Sequence, residues 1–200
     1  MDTQLLENHK KYLERVSFYK KFDYDIEQER NFIFEKSGPI WGNILEVGTG
    51  KGYFTLQLAR KGYSFTSVDI SAEEQNFARL NIQYFGLENR VIFKMDDAEK
   101  LSSKDGSFDV VFSIHLIHHL KNPSKAMDEF TRVVKPKCKI VLSDFNEEGF
   151  KMMAKIHATE GREHDAGKIT LDEIACYLEN KGFSIRKHQS KFQDVVIVNH

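Results

Sequence analysis

The chain has 200 residues, 40% of them hydrophobic, enough for one compact core and too few for two ordinary domains. Charged residues make up 30% and nearly cancel to a formal net charge of -1, which excludes a global basic field able to recruit nucleic acid or an anionic membrane. Met1 to Lys10 contains no apolar stretch and no run of about 18 apolar residues occurs anywhere, so neither a signal peptide nor a membrane span is expected and the chain reads as cytoplasmic.

Residues 1–37 are rich in charge and carry Tyr12, Phe18, Tyr19, Phe22, Tyr24, Phe32 and Phe34, a pattern that predicts one or two amphipathic helices forming a cap. Those aromatics read either as packing or as a lid over a ligand. From Asn43 onward, short β-branched or aromatic runs alternate with segments of helical character, the pattern of a parallel sheet covered on both faces. Strands are predicted at Ile44 to Val47, Ser64 to Asp69, Val91 to Met95, Phe108 to Ser113 and Lys139 to Ser143. Ser71 with Glu74, and Thr170 with Glu173, match the capping box in which two side chains satisfy opposite orphan amides. Asn122 before Pro123 reads as an N-cap with proline at the first helical position, and Gly86, Pro136 and Gly182 fall where helices should stop. Two further extended runs, Ile185 to Phe192 and Val195 to Val198, have hairpin spacing.

The expected architecture is a single domain over 1–200, a three-layer α/β/α sandwich around a mostly parallel seven-stranded sheet that ends in a C-terminal antiparallel hairpin. The helical cap occupies 1–37 and the core 38–200, with an insertion at about 145–169. Cys138 and Cys176 lack metal-ligand spacing, sit in apolar stretches, and read as reduced core residues.

The chemistry begins at Glu46-Val47-Gly48-Thr49-Gly50-Lys51-Gly52, after the first strand. A loop that approaches a ligand closely and turns at once into a helix needs glycine, and Gly48, Gly50 and Gly52 meet that need. Dinucleotide enzymes use G-x-G-x-x-G at the same place, but here the third glycine falls at Gly52 and Tyr53 stands where that pattern wants glycine. Glu46 would repel a pyrophosphate and attract an ammonium. The second strand ends in Asp69, placed to accept hydrogen bonds from ribose hydroxyls, and the third is followed by Asp96-Asp97-Ala98, where one carboxylate suits an adenine amino group and the other a helix cap.

EVGTGKG, VDIS, DDAEKL, SFDVVFSIHLIHHL and RVVKPKCKIVLSDF, in that order over Ile44 to Phe145, resemble the class I, Rossmann-like S-adenosylmethionine-dependent methyltransferases, particularly those of ubiquinone and menaquinone biosynthesis. The resemblance implies a cofactor, S-adenosyl-L-methionine, with S-adenosyl-L-homocysteine as product. It implies that Glu46, Gly48, Gly50 and Gly52, with Thr49 in the same loop, meet the methionine part, and that Asp69 holds the ribose. Ile70 would pack on the adenine, Asp97 beside Ala98 would read its amino group, and Ser113 to Leu116 would lie near the transferable methyl. Two departures stand out: Asp96 replaces a glycine common in the family, and the Lys-Pro-Gly-Gly turn of the family is Lys135-Pro136-Lys137-Cys138.

Methyl transfer from a sulfonium is an in-line displacement, so alignment matters most and a base is needed only for an acidic or protonated nucleophile. His115, just past the fourth strand, is the first candidate base and His118 the second, with a packing or hydrogen-bonding role open for His118 or His119. Downstream, His157, Glu160 and His164 have helical-face spacing suited to a divalent metal or a substrate clamp, with Arg162 available to an anion. Gly161 interrupts that set, and the alternative is a solvated polar loop. The expected function is methyl transfer to a small-molecule acceptor. Nucleic acid is disfavoured as a partner and homo-oligomerisation stays open. The competing readings are a nicotinamide-dependent oxidoreductase and a non-catalytic, cofactor-binding partner subunit.

Overall fold

The computed structural model describes residues 2–161 and 169–199. Two helices, α1 (Thr3–Lys20) and α2 (Ile26–Ser37), precede the sheet, and Asp2 and Asp25 cap them by accepting hydrogen bonds from first-turn amides. The remaining order is β1 (Ile44–Val47), α3 (Tyr53–Arg60), β2 (Phe65–Asp69), α4 (Ala72–Tyr84), β3 (Val91–Met95), β4 (Phe108–Ile114), α5 (Pro123–Val133), β5 (Val134–Phe145), α6 (Glu147–Thr159), α7 (Leu171–Asn180), β6 (Ser184–Gln189) and β7 (Gln193–Asn199).

The strands form one seven-stranded sheet in the order β3-β2-β1-β4-β5-β7-β6. The first five run parallel, whereas β7 is antiparallel to both β5 and β6. This is the Rossmann-like three-layer sandwich with its C-terminal hairpin. On one face, Leu45, Val111 and Ile140 pack on Met127 and Phe130 of α5 and Ile174 and Leu178 of α7. On the other, Val110, Phe112 and Ile197 pack on Ile33 of α2, Phe54 and Leu58 of α3 and Ile82 of α4. All four β1 residues are buried, as both covered faces require. A third cluster, with Tyr24, Ile26, Phe145, Met153 and Phe192, joins α2 and α6 above the carboxyl ends of the strands.

Element boundaries depart from the sequence reading in ways that have local causes. β2 begins at Phe65 rather than Ser64, and β4 runs on to Ile114. β5 starts directly after α5 and continues through Pro136, with an irregular register between Phe108 and Val110 of β4. Lys137 takes φ +62 there, so a lysine makes the left-handed turn for which the family favours glycine. The hairpin turn lies at residues 190–192, so β6 stops at Gln189 and β7 begins at Gln193.

The Thr170–Glu173 capping box is complete, with both reciprocal hydrogen bonds made. Ser71 makes only its half, because its own amide donates instead to Asp69 Oδ1 at 2.8 Å and Glu74 turns toward Lys51. Asn122 is an N-cap by position alone, since its side chain and amide both donate to Glu99. The cysteine expectation is corrected as well: Cys138 is half-buried and Cys176 exposed, because α7 turns Ile174, Ala175 and Leu178 to the core instead. No helix among the described residues is long and apolar enough to cross a membrane.

Replacing Lys137 by glycine should relieve the left-handed strain and raise stability by up to about 1 kcal/mol. Equilibrium urea unfolding should show a higher midpoint at unchanged slope, and an unchanged midpoint would contradict it.

Candidate active site

Parallel strands expose their carboxyl ends at one edge of the sheet, and where β1 and β4 diverge to helices on opposite faces a crevice must open. Two contiguous cavities occupy it. One, of about 370 Å³, is walled by the glycine loop, Glu46, Asp69, Ile114 and His115. The other, of about 270 Å³, extends it over Asp96, Asp97 and Ala98, and shares Gly48, Asp69, Ile70, Leu116 and His119 with the first.

The loop glycines do different things. A Cβ on Gly52 (φ +79) would sit 2.5 Å from Ala78 Cβ, so this glycine lets α3 start hard against α4. A Cβ on Gly50 (φ +49) would meet nothing within 4 Å, because this residue faces the open cleft. Asp69 Oδ2 accepts the Gly50 amide at 2.7 Å, which locks the loop to the end of β2. Ile70 is 72% exposed to the cleft, an apolar surface that a flat ligand would cover.

Of the two aspartates after β3, Asp96 is consumed by the loop itself: its carboxylate accepts from the Asp97 and Ser102 amides and the Ser102 hydroxyl. Asp97 accepts one amide, that of Glu99, through Oδ1, and it stands with Ala98 in the cavity wall. That division favours Asp97 as the ligand-facing acid.

Glu46 is buried to 1% exposure, and its Oε2 accepts hydrogen bonds from Ser67 (2.6 Å) and Thr55 (2.8 Å). Burial raises its pKa to about 7, against the pull of those two hydroxyls, and nearby Asp69 pushes the same way. Thr49 stays inside the loop, its hydroxyl bonded to Ser67 and Gln75. Ser113 does not line either cavity: its hydroxyl is buried without a hydrogen-bond partner, and the next residues, Ile114 to Leu116, reach the cleft instead. The pleat of β4 explains this, since Ser113 points with Val111 to the α5 side.

A third cavity, of about 390 Å³, adjoins the cleft and is roofed by the amino-terminal helices and α6, with Tyr19, Tyr24, Arg30, His115, His118, Phe145 and His157 among its walls. The aromatics of the cap therefore divide. Phe32 and Phe34 pack on the sheet core, whereas Tyr19 and Tyr24 face the cavity.

The two candidate histidines sit in different settings. His115 is held at φ +54 with both ring nitrogens engaged, Nδ1 with Arg30 at 3.2 Å and Nε2 with Gln193 Oε1 at 3.1 Å. Gln193 is oriented by its Nε2, which donates to the Glu29 carbonyl, so Oε1 must be the atom presented to His115. The imidazole therefore carries its proton on Nε2 and accepts the Arg30 guanidinium at Nδ1. Burial, then the Arg30 charge, pushes its pKa well below the usual histidine value. His118 is buried with Nδ1 2.6 Å from Asp144 Oδ1, while Asp144 Oδ2 accepts the His118 amide. Asp144 thus fixes the ring with the proton on Nδ1 and the lone pair on Nε2.

His157 lines the third cavity, and Glu160 ion-pairs with Arg15 of α1, which lines the same cavity. His164 and Arg162 lie outside the described residues, and among the described residues no three His, Cys, Asp or Glu side chains are grouped to hold a metal. Sequence reasoning missed Arg30, Asp144 and Gln193. For Asp144 a signal existed, an acid ending β5 as Asp69 ends β2. Arg30 and Gln193 carry no local mark.

Residues 45–142 match the family model of a methyltransferase domain. The chain is 26% identical over 164 residues to a ubiquinone biosynthesis O-methyltransferase of Xanthomonas axonopodis pv. citri (strain 306), covering 77% of this chain and 67% of that protein. It is 34% identical over 104 residues to norajmaline N-methyltransferase of Rauvolfia serpentina, covering 52% of this chain and 36% of that one. A SAM dependent methyltransferase from Aquifex aeolicus shares the fold, with a TM-score of 0.68 at 24% identity over 92% of this chain and 97% of that chain. The chain spans 35% to 67% of the length of the curated relatives it matches.

The buried acid supplies a test. Because the folded pKa of Glu46 is raised from 4.5 to about 7, its contribution is most favourable below pH 4.5, is lost as pH rises to 7, and stays lost above, for a total of roughly 3 kcal/mol. Glu46→Gln keeps an oxygen for Ser67 and Thr55, and should be more stable than wild type at pH 8 and lack that slope. Urea unfolding across pH 4 to 8 measures it, and identical slopes in both proteins would refute the assignment.

Proposed function

Because the chain belongs to the class I, Rossmann-like S-adenosylmethionine-dependent methyltransferases, we propose that it binds S-adenosylmethionine over the carboxyl ends of β1 to β4 and methylates a small molecule held in the adjoining cavity. One observation carries the reading: acids at or just past the ends of three neighbouring strands, Glu46, Asp69 and Asp97, surround one glycine loop in a single cleft that adjoins a third cavity.

The residues present fit this cofactor. Glu46 Oε1 makes no hydrogen bond among the described residues, and a carboxylate half-ionised at neutrality suits an ammonium partner better than a pyrophosphate. Gly50 leaves open space where a side chain would block backbone approach. Asp69 retains acceptor lone pairs for ribose hydroxyls, while Ile70 and Ala98 offer apolar surface beside Asp97 for an adenine. These features also weigh against a nicotinamide-dependent oxidoreductase. When bound, S-adenosylmethionine supplies an electrophilic methyl on a sulfonium and departs as a neutral thioether.

This chain's residues would then align the acceptor and manage its proton. The third cavity adjoins the cleft, and its volume of about 390 Å³ suits a small molecule. His118 would take the proton of an acceptor hydroxyl or ammonium at Nε2, with Asp144 stabilising the imidazolium that forms. His115 is the positioning residue of the pair, since its Nδ1 accepts from Arg30, and His118 is taken as the base on its contact with the Asp144 carboxylate.

Calorimetric titration with S-adenosylmethionine and S-adenosylhomocysteine tests the central claim. Both should bind wild type, Asp97→Ala should bind about tenfold or more weakly, and affinity should fall as pH drops below 7 and Glu46 takes up its proton. Absence of heat with either ligand would overturn it. For the base, His118→Ala and Asp144→Asn should each slow methyl transfer to a phenolic acceptor by roughly 10²–10⁴ while leaving S-adenosylhomocysteine affinity unchanged. Full turnover in either variant would remove the dyad from the mechanism, and binding without turnover of any acceptor would point to a partner subunit.

A further inference from the structure

A cavity of about 440 Å³ lies between α1 and α4, beside the third cavity, with which it shares Arg15, Lys51 and Tyr53. Its walls include Asn8 of α1 and Asn81 of α4, which are only 6% and 3% exposed. Asn8 Nδ2 donates to the Phe77 carbonyl at 3.2 Å, and because a carbonyl can only accept, the atom placed there must be the nitrogen. The same nitrogen donates to Asn81 Oδ1 at 3.0 Å, which fixes the orientation of the second amide in turn. Asn8 Oδ1 and Asn81 Nδ2 are left over, one acceptor and one donor, and neither makes a hydrogen bond among the described residues. Buried amides are normally satisfied at both ends, because a polar atom taken from water and left unbonded loses what hydration gave it.

The rest of the wall favours a flat, uncharged group. Glu160 pairs with Arg15, Glu74 lies 3.9 Å from Lys51, and Lys11 is exposed to solvent, so an anion would find little uncompensated charge inside. A carboxylate or phosphate also offers acceptors alone, and its oxygens would be repelled by Asn8 Oδ1. Tyr12 and Tyr53 stack with ring centroids 5.5 Å apart, and with Phe77 they supply aromatic surface. An amide or lactam carries a carbonyl beside an N–H, which is the complement of the two atoms that the asparagines leave free.

From this we infer that the cavity between α1 and α4 binds a neutral small molecule through a planar amide or lactam, whose carbonyl accepts from Asn81 Nδ2 and whose N–H donates to Asn8 Oδ1. The molecule would lie directly against whatever occupies the third cavity, through the three shared wall residues. The site does not depend on the methyl-transfer reading, since Asn8 and Asn81 line neither part of the cleft nor the third cavity.

The test is NMR titration of the full chain with benzamide, acetophenone and benzoate, with and without saturating S-adenosylhomocysteine. Acetophenone keeps the ring and carbonyl but lacks the N–H, and benzoate offers acceptors only. Benzamide should shift the side-chain amide signals of Asn8 and Asn81 and bind about fivefold or more tightly than either control, the value of one hydrogen bond to an otherwise unpaired group. Replacing both residues, Asn8→Ala with Asn81→Ala, should abolish that preference. Asn81→Leu alone should weaken benzamide and acetophenone alike by about fivefold, which keeps the test valid if the double variant folds poorly. S-adenosylhomocysteine affinity should stay within about threefold of wild type in both. Equal binding of the three probes to wild type, tighter binding of benzoate, or an intact preference in the double variant would overturn the inference. So would displacement of benzamide by S-adenosylhomocysteine, which would place the probe in the cleft. If wild type bound no S-adenosylhomocysteine yet preferred benzamide, the cofactor reading would fail and the amide site would stand.

Discussion

The carboxylate of Asp69 ties together the three elements on which the cleft depends. One oxygen accepts the Gly50 amide and the other the Ser71 amide, so the end of β2 fixes both the glycine loop and the first turn of α4. The loop could not otherwise hold three left-handed glycines in one conformation, since glycine loses more backbone entropy on ordering than any other residue. Gly52 then lets α3 begin against Ala78 of α4, closing a triangle of loop, strand and helix. The same contact explains why Ser71 forgoes half of its capping box: its amide already donates to the Asp69 carboxylate, so it does not donate to Glu74.

Around that frame the site is built from buried polar groups whose partners determine their chemistry. His115 and His118 lie three positions apart and have opposite proton assignments, because a pinned glutamine amide meets the first and a carboxylate the second. The first is thereby kept neutral beside a guanidinium. Glu46, raised to about 7 by burial, stays poised between its two ionisation states. Each of these groups costs the folded protein stability, as expected where function and folding compete for the same residues.

The amino-terminal segment supplies one wall of the cavity beside the crevice. Tyr24 and Ile26 pack with Phe145, Met153 and Phe192, which anchors α2 over the ends of β5 and β7 and carries Arg30 into the wall. Packing and lining are therefore properties of one aromatic set rather than alternatives. The acid-to-base character of the cavity follows from this docking, since Arg15 and Arg30 both arrive on the cap helices.

The sequence by itself determined the order and type of the sheet strands and of the helices between them up to β5, but not α6, which lies in what reads as an insertion, because hydrophobic period, capping residues and glycine positions act over a few residues. It also determined the glycine loop and the acids at the ends of β1, β2 and β3, which follow their strands at once. Tertiary structure decided what depends on register and on segments far apart in the chain. The pairing of β4 between β1 and β5 turned Ser113 away from the cleft, and the fold put Lys137 in a left-handed conformation. Docking of residues 30, 115 and 193 into one hydrogen-bonded series assigned the histidine tautomer. No local pattern encodes such a series, because proton position and charge balance are set by whichever groups the fold brings within about 3 Å.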